Sequence, residues 1–293
     1  MRNSPIIHIA LLLLGALCAC HALRHQEEER SREVHLSLDD VDFFADLIRY
    51  SQDYDSLFQH PLMAFLQELH REYGIKITLY TFERYTDGQG ELRIDGMPLK
   101  FRDDFRKSAD WLRIGFHSPR AKFDSLVTVA DFKNSYDNVN LAIARFADSS
   151  MVASTLRLHC FFAPDSLLNA LTGVRTFLCA DDSNRVSYNL SASESKVVDN
   201  GGTIVKKDIS YRRTDLRIDD NFLILDQLKS LGANDTLVIF AHNWKLWHPV
   251  ESMNSRSTSG RIKLRASDRV NRRLFKETVK WLNDAEYKFS FIE

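Results

Sequence analysis

Short strand-like runs alternate with helix-like runs along nearly the whole chain. Strand-like runs rich in β-branched and aromatic residues occupy residues 34–38, 75–82, 112–116, 155–162, 174–179, 236–240 and 287–292. Helical spacing of apolar residues marks residues 62–74, 101–111, 124–147, 166–171 and 269–283. The first of these ends at Gly74, a residue type common at helix C-termini. Such alternation predicts βα units around a parallel sheet that is closed, or nearly closed, as a barrel.

One region, residues 186–216, interrupts this rhythm. It reads as a β-hairpin turning at Asn200-Gly201-Gly202, either an insertion beside the site or an irregular element of the barrel. No repeat or low-complexity linker divides residues 34–293, and a chain of this length suits one large domain. The predicted fold class is therefore α/β: a distorted or incomplete (β/α) barrel with a β-hairpin insertion.

The first twenty residues have the pattern of an export signal. Arg2 precedes an apolar run, residues 6–17, that is too short to span a bilayer comfortably. The run ends in Leu17-Cys18-Ala19-Cys20, which resembles a bacterial lipobox with Cys20 as the lipid-anchored residue. We expect an exported lipoprotein, periplasmic or on the cell surface, with residues 21–33 as a charged tether. Cleavage after Ala22, giving a secreted protein, is the alternative.

Charge and cysteine content narrow the classes further. The chain has 39 Lys and Arg against 40 Asp and Glu, so it has no basic excess of the kind that nucleic-acid binding needs. Besides Cys20, only Cys160 and Cys179 follow the leader, which excludes a disulfide framework. Both lie in apolar runs and are predicted to be buried thiols, with a bridge between them as the alternative.

Polar residues of catalytic type stand where several predicted strands end. In barrels of βα units such ends meet over the core, so these side chains are expected at one mouth. Asp39-Asp40 follows the first strand, His117 ends the strand 112–116, and His242 ends the strand 236–240. Adjacent carboxylates let one bind a metal while the other takes a proton from water, although such a pair also caps helices. His117 is a candidate metal ligand or a core histidine, and His242 is a candidate acid.

Other strand ends supply candidates for substrate contacts. Arg157 and His159 share one face of a strand by the two-residue period, so they belong either to the site or to a salt-bridged core. Asp181-Asp182 follows the strand 174–179. Trp244, close after His242, and Trp111 and Trp247, near strands that bear histidines, offer aromatic faces at the expected mouth or belong to the core.

The order of these motifs resembles that of polysaccharide deacetylases, the NodB-homology proteins of carbohydrate esterase family 4. The resemblance runs from Leu38-Asp39-Asp40 through Phe116-His117-Ser118, a strand followed by Pro164 and a helix, and Asp181-Asp182, to Val238-Ile239-Phe240-Ala241-His242. It covers roughly residues 34–292 and implies a metal-assisted removal of acetyl groups from a sugar polymer. Asp39 would then be the base, Asp40 and His117 metal ligands, and His242 the acid.

Two departures from the family pattern concern the metal. The family's second metal histidine follows the first by four residues, and here that position is Ala121; the family's Arg-x-Pro-Tyr motif reads Phe162-Ala163-Pro164-Asp165. A catalytic zinc site usually has three protein ligands, so one divalent ion, zinc or similar, would need His159 or Asp181 as well. Alternatively Arg157 replaces the cation as the stabiliser of a developing oxyanion. Ala121 favours this metal-poor alternative.

Three functions remain open at this point. The first is a hydrolase that removes acetyl, or another acyl group, from an amino-sugar polymer, with Arg157, Asp181, Asp182 and Trp244 contacting the carbohydrate. The second is a carbohydrate-binding protein that has lost its metal. The third is a metal-free hydrolase that uses two carboxylates, as glycosidases do.

Overall fold

The computed structural model describes residues 32–87, 89–121, 127–182, 184–232, 234–248 and 266–292. The predicted leader, its Cys20 and nearly all of the tether lie outside these residues. Within the described ranges, no helix combines the length and the apolar character that crossing a membrane requires.

Strands and helices alternate as the sequence predicts. The described strands are β1 (Glu33–Val41), β2 (Ile77–Phe82), β3 (Arg84–Asp87), β4 (Gly90–Arg93), β5 (Leu112–Ser118), β6 (Thr155–Leu156), β7 (Thr176–Leu178), β8 (Ile204–Lys206), β9 (Ile209–Arg212), β10 (Leu216–Arg217), β11 (Thr236–His242) and β12 (Lys288–Phe289). The helices are α1 (Phe43–Arg49), α2 (Pro61–Tyr73), α3 (Arg102–Lys107), α4 (Val129–Phe146), α5 (Asp165–Leu168), α6 (Ala192–Asp199), α7 (Ile224–Leu231), α8 (Asn243–Leu246) and α9 (Ala266–Asp284).

Strands β3 and β4 pair with each other as a separate antiparallel hairpin, and the other strands form two arcs of a distorted, incomplete barrel. In the first, parallel strands lie in the order β10-β11-β1-β2-β5, with β12 also pairing with β1; in the second the order is β6-β7-β9-β8. On one side the arcs meet through a single parallel bridge between Ile114 and Val152. On the other side one stretch of chain, residues 209–217, pairs first with β7 and then with β11. The predicted fold class is confirmed, since β1, β2, β5 and β11 carry their C-terminal ends to one edge.

Helix α2 shows how the local sequence builds these units. Pro61 stands at the first helical position, and the Leu62 amide donates to the ring of His60, which satisfies one of the free N–H groups of the first turn. Leu62, Leu66 and Leu69 recur on one face and are fully buried. The helix ends at Gly74, whose φ of 68° is the left-handed conformation that favours glycine.

Residues 186–216 contain the predicted β-hairpin, but the predicted position of its turn was wrong. A helix, α6, ends just before Asn200-Gly201-Gly202, and it begins with a capping box between Ser191 and Glu194. The hairpin lies later, between β8 and β9, and turns at Lys207 and Asp208, which have φ values of 50° and 65°. Ser191-x-x-Glu194 is a capping-box pattern that starts a helix, and Asn200 caps the C-terminus of that helix, so Gly201-Gly202 follows a helix instead of forming the hairpin turn.

The predicted strand 155–162 also proved shorter. It ends at Leu156, and the chain then makes a 3₁₀ turn at residues 159–161, with Cys160 at a φ of 56°. Arg157 and His159 therefore do not share a strand face. Cys160 is exposed, contrary to prediction, whereas Cys179 is buried, and both thiols are free. The predicted C-terminal strand is likewise reduced to Lys288–Phe289.

Candidate active site and metal centre

Asp39 and Asp40 lie at the C-terminal end of β1, in the middle of the first arc. Asp39 pairs in register with His242 of β11, and His117 ends the nearby strand β5. Between Leu38 and Val41, strand β1 contains one residue more than β2 across the same interval, which is a β-bulge. Asp40 takes a φ of 54° there. Neighbouring residues of a regular strand point to opposite faces, and the bulge breaks this rule so that both carboxylates serve one mouth.

Three side chains from separate segments meet at Asp40. Its Oδ1 lies 3.3 Å from Nε2 of His117 and 3.2 Å from Nδ1 of His159, and these two nitrogens are 3.3 Å apart. Ligands about 2.0–2.1 Å from a tetrahedral zinc ion are separated by about 3.3–3.4 Å. The three atoms therefore occupy three corners of such a tetrahedron and leave the fourth free. His159, one of the predicted third ligands, lies at the third corner.

The chemistry of the donors agrees with a cation site. The backbone carbonyl of Arg157 lies 2.5 Å from Nδ1 of His117 and fixes the proton there, so Nε2 presents a lone pair toward Asp40. Oδ1 of Asp40 is buried and accepts no hydrogen bond from the described residues. Nε2 of His117 and Oδ1 of Asp40 thus both offer lone pairs, and Nδ1 of His159 offers a third when its proton is on Nε2, so these residues fit a divalent metal.

Asp40 and Asp42, two carboxyls near the mouth, have pKa values shifted in opposite directions. Burial acts to raise the pKa of Asp40, but hydrogen bonds from the imidazoles of His117 and His159, which form when these nitrogens carry protons, outweigh it and hold that pKa well below its usual range. Two residues on, burial and the charge of Asp40 raise the pKa of Asp42 to about 7. Of Asp40 and Asp42, Asp40 is therefore the carboxyl that is ionised at neutral pH.

Asp39 is held by a buried ion pair. Arg157 is fully buried and donates to Oδ1 of Asp39 over 3.0 Å, as well as to Ser37 and Thr214. Its guanidinium lies over the ring of Phe240 at 4.4 Å. Arg157 therefore lies behind Asp39 and not on the surface of the mouth, so its predicted role as a substrate contact is wrong. Its charge is compensated by Asp39 and does not oppose a cation at Asp40.

His242 has a partner that sequence reasoning missed. Asp219 lies just after β10. Its Oδ1 accepts a hydrogen bond from the backbone N–H of His242 over 3.0 Å, and its Oδ2 lies 2.5 Å from Nδ1 of the same histidine. Burial lowers the pKa of His242, but the bond to Asp219 and the nearby carboxylates outweigh it and raise that pKa overall. Nε2 faces the mouth, 3.9 Å from Oδ2 of Asp40. The available signal was Asp219-Asp220 after the alternating apolar residues Leu216 and Ile218, but β10 has only two residues.

The other predicted substrate contacts differ in their exposure and in whether they lie near the mouth. Trp244 is 38% exposed, and its indole lies 5.3 Å from the ring of His242. Asp181 lies 4.0 Å from Arg217, while the exposed Asp182 accepts hydrogen bonds from Asn184. Trp247 is buried against His60, and Trp111 is buried before β5, stacked on His70, so neither lines the mouth.

No family model and no curated protein matches the chain. Among solved structures it is similar to a family 4 carbohydrate esterase from Streptomyces lividans, at 10% identity and a TM-score of 0.47 over 89% of this chain and 93% of that one. The peptidoglycan deacetylase PdaC from Bacillus subtilis gives 11% and 0.43 over 88% and 87%. A family 4 acetyl xylan esterase from Clostridium thermocellum, in complex with cobalt, gives 11% and 0.44 over the same shares. The roles of the site residues therefore rest on this chain's own geometry.

Proposed function

We propose that this protein is a metal-dependent hydrolase that removes acetyl groups from an amino-sugar polymer. The observation that carries the proposal is the triangle of Asp40, His117 and His159, whose edges of 3.2 and 3.3 Å suit a tetrahedral ion with one position open. Beside this triangle stand a carboxylate and an imidazole suited to move protons. The order of the sequence motifs supports the same assignment.

The roles follow from the hydrogen bonds already made. A divalent ion held by the three ligands would act as a Lewis acid toward the acetyl carbonyl oxygen. Asp39 binds Arg157 through Oδ1, and among the described residues nothing donates to its Oδ2, which is left to take a proton from the attacking water. His242, oriented by Asp219 through Nδ1, presents Nε2 to donate a proton to the departing amine.

The alternatives predict different products and can be separated in one set of assays. The purified protein is loaded with Zn²⁺ and incubated with N-acetylglucosamine oligomers, and released acetate, new reducing ends and bound metal are measured. We expect acetate, no new reducing ends and about one zinc per chain. New reducing ends would identify a glycosidase-like hydrolase, and binding of the oligomer without either product would identify a carbohydrate-binding protein.

A single substitution tests the ligand that the family pattern does not supply. His159→Ala removes one corner of the triangle, so zinc affinity should fall more than about 100-fold, beyond the range seen when a ligand's supporting residue is lost. Acetate release should fall with it. The matched control is His70→Ala, because His70 stacks on Trp111 far from the mouth. Full zinc content in His159→Ala would remove His159 from the site.

We also propose that the protein is exported and held on a membrane through a lipid on Cys20. The support is the apolar run of residues 6–17 followed by Leu17-Cys18-Ala19-Cys20. Cys20→Ala should release the protein from the membrane fraction and leave the mature N-terminus without its lipid mass. Retention of the variant in that fraction would contradict the anchor.

A further inference from the structure

The first two residues of α8 both contact the turn that carries the metal-ligand carboxylate. Nε1 of Trp244 donates to Oδ2 of Asp40 over 3.1 Å. Nδ2 of the fully buried Asn243 donates to Oδ1 of Asp42 over 2.5 Å. Because α8 begins directly after His242, these two bonds join the end of β11 to the turn at the end of β1.

This turn needs external support. Asp40 has a φ of 54°, in the left-handed region that a residue with a Cβ seldom occupies, and it lies in the bulge of β1. The hydroxyl of Thr81 donates to the carbonyl of Val41 from the β2 side. The bonds from Asn243 and Trp244 come from the β11 side, so the turn is held from both neighbouring strands.

The bond to Trp244 also selects the oxygen that Asp40 presents. A free carboxylate can rotate and ligate through either oxygen, or through both. With Oδ2 engaged by the indole N–H, Oδ1 is left facing His117 and His159. Supporting residues of this kind orient metal ligands and typically change metal affinity by about 10- to 100-fold when they are lost.

We propose that Asn243 and Trp244 form a clamp that fixes Asp40 as a one-oxygen metal ligand and ties it to the strand end bearing His242. Both are positioning residues. The proposal rests on the metal site proposed above and gives Trp244 a role different from that of a platform on which a sugar ring stacks.

Trp244→Phe separates the two roles, because phenylalanine keeps an aromatic face and lacks the N–H. Zinc affinity is measured by competition with a chelating dye, which needs no substrate. We expect an approximately 10- to 100-fold weaker zinc affinity in Trp244→Phe. The matched control is Trp281→Phe, the same change on α9 beside Tyr287, which should bind zinc like the wild type. Unchanged zinc affinity in Trp244→Phe would overturn the clamp, and a raised KM at saturating zinc would then assign Trp244 to sugar binding.

Asn243→Ala provides an independent measurement. It should also weaken zinc binding, and far-UV circular dichroism verifies that the variant is folded. If it does not fold, Trp244→Phe decides alone, since Trp244 is partly exposed. The zinc measurements distinguish failure of the proposed metal site from failure of the clamp. Wild-type protein that binds no zinc would overturn both proposals. Equal zinc affinity in wild type and Trp244→Phe would overturn only the clamp.

Discussion

Asp219 contacts both the backbone and the imidazole ring of His242. Its carboxylate accepts the backbone N–H of His242 and pairs with Nδ1 of the same residue, which fixes the ring and favours its protonated form. The raised pKa of His242 means that the proposed acid keeps its proton to higher pH than an ordinary histidine would.

Asp219→Asn should therefore narrow the active pH range from the alkaline side. The amide lacks the negative charge that raises the pKa of His242, so that pKa falls and the basic limb of the profile of kcat/KM against pH moves to lower pH. The acidic limb should stay in place. A profile with both limbs unmoved would show that His242 is not the acid.

The same pair also contributes to stability, with a defined sign. Because the pKa of His242 is higher in the folded chain than the ordinary value of 6.5, the contribution is fully present below about pH 6.5 and is lost as the pH rises through the folded-state pKa. The difference in Tm between wild type and Asp219→Asn should accordingly be larger at pH 6 than at pH 9.

At the scale of elements, Arg157 connects pieces of the barrel that backbone pairing leaves apart. From the segment after β6, it reaches Ser37 and Asp39 on β1 and Thr214 between β9 and β10. Because all of these groups are buried, removing the guanidinium leaves an uncompensated carboxylate in the core.

Arg157→Met should lower the free energy of unfolding by about 3–5 kcal/mol, the usual cost of breaking one side of a buried ion pair. Urea denaturation measures this change. The control is Arg106→Met, which removes an ion pair with Asp148 between largely solvated side chains and should cost less than about 1 kcal/mol. Equal losses in the two variants would show that Asp39 does not depend on Arg157.

Helix α6 lies in the region where the position of the hairpin turn was wrongly predicted, and its N-terminal cap can be tested. Ser191→Ala removes the side chain that caps the Glu194 amide, and it should lower the free energy of unfolding by about 1 kcal/mol. Lys196→Ala, on the exposed side of the same helix, should change it by less than about 0.5 kcal/mol. A neutral Ser191→Ala would mean that the cap contributes little to the folded state.

For the whole molecule, the proposed metal site links three distant parts of the chain. Asp40, His117 and His159 come from β1, β5 and the turn after β6, so their ligand atoms meet only in the folded protein. Zinc should therefore bind the folded state preferentially. The free energy of zinc binding then adds to the free energy of unfolding.

Zinc at about 100 times its Kd should stabilise the fold by about 2.7 kcal/mol and raise the Tm. Thermal unfolding followed with and without a chelator measures the shift. It should shrink as the pH falls, because protonated histidines do not bind metal. His159→Ala should show no shift, and a shift of wild-type size in that variant would place the bound zinc elsewhere.

The sequence by itself determined the βα order and four residues of the candidate site. Asp39, Asp40, His117 and His242 could be found because each ends an apolar strand, and the C-terminal ends of parallel strands meet at one edge. The residues that complete the site carried no such signal. His159 lies in a turn, Asp219 follows a strand of two residues, and no local pattern indicates that Arg157 is buried behind Asp39. Only the tertiary structure decided these roles, because partners such as Asp39 and Arg157 are 118 positions apart, and their pairing follows from how the two arcs close rather than from any local pattern.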